Sequence, residues 1–284
     1  IGVTGVQTCA LPILGNDVTI YTTDLDFANN AHTFNKRLPR IEKIENFMIN
    51  RSHTWFSLKL FYVNPGMYFQ LKKAKPDIIH TVGVRSFQSL IAAIIAKRNK
   101  IPLVISDQGG LTTHPDIKEN NFISRIFYIL QKPLVNFVIR QATRISVPNE
   151  YEKEIFAKLT DTAKVQVIKN GINLKQFEDV KLADFKTKYN IDQNFILFVG
   201  RFAKVKGVDI LLNAWSTIKQ KNQNLNLVVM GVDFGFESEM FKMIKDLGIS
   251  DSTIVIQKPP REDVLAAYAQ CLFLVLPSRW ELSP

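Results

Sequence analysis

Cysteine is scarce in this chain. Cys9 and Cys271 are the only two in 284 residues, they lie far apart, and neither has metal-ligand spacing to other residues. A disulfide-stapled secreted scaffold and a Cys/His metal site are thereby set aside, and a reducing, cytoplasmic compartment is expected. Apolar runs long enough to span a bilayer are missing as well. The richest one, residues 122–139, is interrupted by Arg125, Lys132 and Pro133. No Pro/Gly-rich or low-complexity tract stands out, which argues against long disorder. Acidic residues are the minority sign: 26 Asp and Glu against 36 Lys and Arg give a formal charge of +10. Such a field favours anionic partners, a nucleotide diphosphate or an anionic membrane surface among them. The cations are spread along the chain, so most read as a solvated surface, and no clustered basic-aromatic stripe or nucleic-acid motif is present.

The chain is 46% hydrophobic, enough to bury one large core or two ordinary ones. Its two ends read differently from the rest. Residues 1–13 show neither a helical nor a strand period, and Val3–Ile13 matches the in-frame translation of a common sequencing adapter, so this stretch is set aside as an artefact. The final residues, Glu281-Leu282-Ser283-Pro284, follow a strand whose next helix is missing, which reads as truncation.

Between these ends, apolar runs alternate with helical periodicity. Strands are expected at 17–21, 77–81, 102–106, 144–147 and 165–168, and helices at 65–73, 86–97 (with Ser86 as N-cap), 124–141 and 149–159. A polar, basic stretch up to about Lys59 shows no readable element. A second series then begins, with strands at 194–199, 225–230, 253–257 and 272–276 and helices at 208–220, 237–247 and 261–270. Strand–helix alternation with near-continuous apolar strands predicts α/β units with parallel sheets covered on both faces. The expected division is residues 14–160 and 161–284. Ligands in such sheets sit at the carboxyl ends of the strands.

The strongest local signal is the run GRFAKVKG, Gly200 to Gly207. A strand ends in glycine, a loop with Arg201, Lys204 and Lys206 follows, and a helix starts near Gly207. Glycine admits a phosphate close to the backbone, a helix N-terminus offers N–H groups and partial positive charge, and Arg and Lys supply a fork and a point charge. A diphosphate site and an ordinary basic strand-to-helix loop explain this run equally well.

The longer run GRFAKVKGVDILLNAW resembles the G-R-x-x-x-x-K-G-x-D-x-L-x-x-A signature of family 4 retaining glycosyltransferases. Val167-Ile168-Lys169-Asn170-Gly171-Ile172-Asn173 with Phe177 is similar to that family's V-I-P-N-G-V-D…F stretch, with Lys169 and Asn173 in place of Pro and Asp. Leu227–Gly231 resembles its L-x-I-V-G strand, and Leu276-Pro277-Ser278-Arg279-Trp280-Glu281 its L-P-S-x-x-E. Asp77–His80 and Ile101–Val104 resemble its D-x-x-H and I-P-x-V strands. The resemblance implies the GT-B architecture, two Rossmann-like domains: an acceptor-side first domain and a nucleotide-sugar-binding second one. It implies donor-diphosphate contacts from Gly200, Arg201, Lys206 and Gly207, and donor-sugar or nucleotide contacts from Gly231, Ser278 and Glu281. Glu281 and His80 become catalytic candidates. The second glutamate of the family's pair falls past Pro284.

Some positions depart from the family. Gln108 stands where a histidine is frequent, so Asp107, Gln108, Gly109 and His114 are weak acceptor-side candidates. Lys258 replaces a usual glycine before Arg261, and the family's glycine-rich first strand and loop are absent. The implied activity is transfer of a sugar from a UDP-, GDP- or ADP-sugar to a glycan or lipid-carrier acceptor, with retention. No cofactor or metal is expected, and peripheral contact with the inner face of an anionic membrane is. Two other readings stand beside it: a sugar-nucleotide epimerase of the same architecture, against which the Gly200–Gly207 run argues, and a basic membrane- or polyanion-binding module, whose best feature is residues 122–140.

Overall fold

The structure, a computed structural model, describes residues 15–25, 35, 37–44, 47–58, 61–111, 122–171 and 185–281; of Leu58 and 122–128 it describes the backbone alone. Residues 1–13, His114, Asn173 and Phe177 lie outside the described residues. The chain forms two compact units that divide between residues 172 and 173.

The first unit opens with β1 (Val18–Thr23), β2 (Ile41–Ile44) and β3 (Phe47–Ser52), in the order β1-β3-β2. β1 and β3 run parallel in register Val18↔Phe47 to Thr23↔Ser52, and β2 is antiparallel to β3. An antiparallel pair follows, β4 (Phe56–Leu58) and β5 (Phe61–Val63). Then come α1 (Gly66–Ala74), β6 (Ile79–Val82), α2 (Phe87–Asn99), β7 (Leu103–Ser106), α3 (Phe122–Gln141), β8 (Arg144–Val147), α4 (Glu150–Ala157) and β9 (Val165–Val167). The strands β6-β7-β8-β9 pair in that order, all parallel.

Local chemistry sets these bounds. Ser86 starts α2 by accepting the Ser89 N–H, and Asn149 starts α4 by accepting the Glu152 N–H at 2.8 Å, so each satisfies a donor the helix itself cannot. The core gathers Ile91, Ala92 and Ile95 of α2, Leu103 and Ile105 of β7, Val138 and Ile139 of α3, and Ile145 of β8.

Two expectations are corrected here. The stretch without a readable element contains β2 to β4, short strands of mixed polarity that pairing stabilises where propensity does not. The expected boundary at 160/161 moves about a dozen residues on, because β9 hydrogen-bonds to β8 and so completes the first unit's sheet.

The second unit holds α5 (Phe185–Lys188), β10 (Asn194–Phe202), α6 (Val208–Lys221), β11 (Leu225–Asp233), α7 (Glu237–Asp246), β12 (Thr253–Gln257) and α8 (Arg261–Gln270). Its sheet runs β10-β11-β12, all parallel. Side chains of a strand alternate between faces, and here the alternation sorts one strand into two cores. Ile196 and Phe198, with Leu227 and Val229 of β11, pack under α6 and α7 against Leu212, Trp215 and Met240. Phe195 and Leu197, with Val228 and Met230, pack on the opposite face against Phe185, Ala266 and Ala267. This is why the strands read as unbroken apolar runs.

The strand expected at 272–276 is reduced to a single parallel bridge, Leu274 to Leu197, on the edge of β10 away from β11. Leu272 N–H donates to the Phe195 carbonyl at 2.9 Å and Val275 N–H to the Leu197 carbonyl at 2.8 Å. That extended segment leads directly into Pro277–Glu281. β10 and β11 also run further than expected, to Phe202 and Asp233, so Gly200, Arg201 and Gly231 are strand residues and not loop residues.

Candidate functional site

The second unit brings Arg201, Lys206, Ser278 and Glu281 together beyond the carboxyl end of its sheet. Arg201 is the penultimate residue of β10. A 3-10 turn, Lys204–Lys206, follows, and Gly207 caps the start of α6. Lys206 Nζ lies 2.5 Å from Glu281 Oε1, and Ser278 Oγ donates to the same oxygen at 2.8 Å. Burial alone would push the Glu281 carboxyl up. The bonds from Lys206 and Ser278, with the charges of Lys206 and Arg201, outweigh it and hold the carboxyl below the usual glutamate range. The Arg201 guanidinium lies over the Phe234 ring, 5.0 Å from its centroid, which aims an exposed cation without neutralising it.

The segment that carries Ser278 and Glu281 is held to the turn by Arg279. Its guanidinium forks onto Asp209 with two bonds of 2.7 Å and donates to the Lys204 carbonyl at 2.6 Å, while its N–H donates to the Val205 carbonyl at 2.8 Å. The Arg279 bond, together with that cation's charge, lowers the Asp209 carboxyl's pKa against its partial burial. Sequence reading missed this clamp. Its one available signal was that Asp209 and Arg279 both sit inside the two motifs.

Glycine is required at two of these places for packing. Gly207 has φ +70°, and a Cβ there would stand 2.0 Å from the Pro277 carbonyl oxygen. A Cβ on Gly231 would stand 1.8 Å from the Gly200 carbonyl oxygen, its partner across β10 and β11. Gly207 thus lets the turn lie against the Pro277–Glu281 segment. Gly207→Ala is expected to lower stability by at least about 2 kcal/mol, combining left-handed strain with overpacking. Denaturant unfolding checks this, and an unchanged midpoint would remove the packing role given to Gly207.

In the first unit the expected residues fall into a different arrangement. His80 is the second residue of β6 and not its end; its Nε2 lies 2.8 Å from Ser106 Oγ, and lost hydration holds its pKa below the ordinary imidazole value, although the residue keeps an exposed side. Asp107 is buried. Its Oδ1 accepts the Val84 N–H at 3.0 Å and its Oδ2 the Gly110 N–H at 2.8 Å. Burial pushes its carboxyl up against those N–H groups and the Arg85 charge. Both oxygens are spent on holding the loop, which leaves Gln108 as its outward polar group. Gln108 Nε2 donates to Asn170 Oδ1 at 3.1 Å, across a shallow depression at the carboxyl ends of β7, β8 and β9 lined by Ser106, Ser146 and Ile168. Gly109 takes φ +86° in the same loop. Among the described residues no group of His, Cys, Asp and Glu could hold a metal ion, and no helix is long and apolar enough to cross a membrane.

Comparison with known proteins gives these sites a context. Residues 8–176 match the model of Glycosyltransferase Family 4, and residues 179–284 that of Glycosyl transferases group 1. A GDP-mannose:cellobiosyl-diphosphopolyprenol alpha-mannosyltransferase of Xanthomonas campestris is 23% identical over 207 residues, 72% of this chain and 50% of that protein. The chain thus spans about half the length of the curated relatives it matches. Among solved structures, sucrose-phosphate synthase from Thermosynechococcus elongatus superposes with a TM-score of 0.69 at 16% identity, covering 97% of this chain and 69% of that one. An Anabaena protein, HepE in complex with UDP and glucose, superposes with a TM-score of 0.59 at 15% identity, covering 81% and 60%. The fold is the α/β GT-B type, and the chain belongs to glycosyltransferase family 4.

Proposed function

We propose that this protein transfers a sugar from a nucleotide-sugar donor to a hydroxyl of a glycan or lipid-linked acceptor, with retention of anomeric configuration. The observation that carries the reading is the Arg201–Lys206–Ser278–Glu281 cluster at the carboxyl end of the second sheet. Breaking the bond between the sugar's anomeric carbon and the donor diphosphate builds negative charge on the departing phosphate oxygen. Arg201 and Lys206 are placed to neutralise that charge, Arg201 as a fork and Lys206 through protons beyond the one it gives Glu281. Glu281, kept ionised, is suited to the hydroxyls of the donor sugar and to the positive charge that develops on its ring.

The acceptor side is assigned to the first unit, with His80 and Gln108 as its polar groups. The names of the relatives fit a donor and an acceptor of these kinds: the Xanthomonas enzyme takes GDP-mannose and a diphosphopolyprenol-linked disaccharide, and HepE holds UDP and glucose. Peripheral contact with an anionic membrane in the cytoplasm belongs to the same reading. It is supported by the +10 charge and by Ile129, Leu130 and Leu134, exposed on α3 beside Lys132.

Calorimetric titration of UDP, GDP and ADP tests the reading. One of the three is expected to bind clearly more tightly than the others, which also names the base. Heats indistinguishable from dilution for all three would end the donor-site assignment.

A further inference from the structure

Asp24 and His53 form a polar pair that the donor cluster does not involve. β1 and β3 are parallel neighbours, and these two residues directly follow them. Both therefore stand at a carboxyl edge, the side on which open parallel sheets take ligands. The Asp24 side chain is 1% exposed, and its Oδ2 lies 2.5 Å from His53 Nδ1. Its Oδ1 accepts the Thr54 N–H at 3.0 Å, and an Arg40 Nη stands 3.5 Å from Oδ2. Burial would raise this carboxyl's pKa, and the bonds from His53 and Thr54 with the His53 charge hold it low instead. An ionised Asp24 fixes the ring with Nδ1–H pointing inward. Nε2 then lies on the outer edge of a side chain that is 36% exposed.

The chain alternates through this point. Ser52 and Thr54 are buried, His53 is partly exposed, and Trp55 is 70% exposed. Alternate residues of extended backbone share a side, so His53 and Trp55 face outward together. Trp55 N–H is tied to the Val63 carbonyl at 2.9 Å, which anchors its backbone to β5. A flat apolar ring two residues from an oriented hydrogen-bonding ring, on the same side of the chain, suits a saccharide. The C–H face of a pyranose packs on an indole, and a ring hydroxyl bonds to imidazole Nε2. The Asp24 carboxylate offsets the Arg40 and His53 cations beside it and the indole carries no charge, so stacking and not charge sets the preference, which favours a sugar ring over a phosphate.

We infer that His53 and Trp55, with Asp24 as a positioning residue, form a saccharide-binding subsite of the first unit for a neutral pyranose of the acceptor. This inference rests on the transferase reading. Saturation-transfer NMR on the whole chain tests it, with methyl α-mannoside, methyl β-glucoside, cellobiose and maltose as probes at millimolar concentration. At least one sugar is expected to be saturated. Trp55→Ala and His53→Ala should each weaken that binding about tenfold or more, the loss typical of a truncated contact at the heart of a site. Phe241→Ala, an exposed aromatic on α7, should leave it unchanged. Asp24→Asn should weaken sugar binding and also alter the His53 ring-nitrogen shifts, which a purely structural role in the fold would not link. If Asp24→Asn does not fold, Trp55→Ala decides, since that side chain is mostly in solvent.

Wild-type saturation retained in Trp55→Ala, or no sugar saturated by the wild type, overturns the subsite. UDP, GDP and ADP titrated on the same samples separate the two assignments. Nucleotide binding without a Trp55 effect overturns the subsite alone. Sugar binding lost in Trp55→Ala, with no nucleotide bound, upholds a saccharide site at His53 and Trp55 but overturns its assignment to an acceptor together with the transferase reading.

Discussion

Replacing Arg201 and Lys206 together by alanine is expected to weaken nucleoside diphosphate binding by at least about 100-fold. Hydrogen bonds to charged groups contribute about 1.5–3 kcal/mol each, and about 2.7 kcal/mol already corresponds to that factor. The single variants should differ. Arg201 is exposed and stacks on Phe234, so its loss removes one fork and little else. Lys206 also balances Glu281, whose carboxylate accepts a hydrogen bond from its ammonium group at 2.5 Å. Without it, a partly buried carboxylate faces the incoming phosphates unpaired, and attraction turns into repulsion. Lys206→Ala is therefore expected to be the more damaging of the two, and Lys206→Arg to recover only part of the loss, since a planar fork does not reproduce an ammonium group. Calorimetry with the nucleotide that the wild type prefers measures all four chains. A double variant that binds like the wild type would move the diphosphate away from this turn.

The second large effect is on stability. Trp215→Ala is expected to cost about 3–5 kcal/mol, the range for deleting a buried aromatic side chain. Trp215 is among the largest fully buried side chains and packs in the core shared by α6, α7 and one face of β10 and β11. Its Nε1–H donates to Ser252 Oγ at 3.3 Å, so the variant also leaves a buried hydroxyl without its donor. Domain stabilities are typically about 5–15 kcal/mol, so the second unit would stand close to unfolding at ambient temperature. Trp215→Phe keeps most of the volume and should cost clearly less. Urea denaturation followed by circular dichroism checks both, and a Trp215→Ala midpoint equal to the wild type's would show that the pocket collapses without penalty.

The second unit was legible in the sequence because local and long-range signals agree there. Strands buried on both faces leave continuous apolar runs such as Phe195–Phe198, and the amphipathic helices 208–221 and 237–246 match their period. The Gly200–Gly207 and Pro277–Glu281 runs could be read as one site only through family resemblance. Nothing local in either says that Lys206 meets a carboxylate 75 positions away. The Asp209–Arg279 clamp and the Asp24–His53 pair escaped for the same reason: each partner alone is an ordinary charged residue, and only the fold makes it a pair. Strands β2 to β4 escaped because they are short and of mixed polarity with no clean alternation, so their stability lies in partners and not in their own composition. Asp107 is a weak acceptor-side candidate only through its place beside Gln108, where the family often has a histidine. Its burial, and the two N–H groups it accepts, give it to the loop instead.

The sorting of β10 into two cores has one more consequence. Phe195, Leu197 and Phe198, with Val228 and Val229 beside them, have no exposed surface, so this pair of strands has no route to water short of opening the whole unit. Arg201 extends directly from that pair, and Glu281 lies a few residues beyond the segment bridged to it. The backbone of Arg201 is thus continuous with the most deeply buried part of the unit, so the proposed diphosphate is expected to meet this cation on an anchor that local opening does not displace.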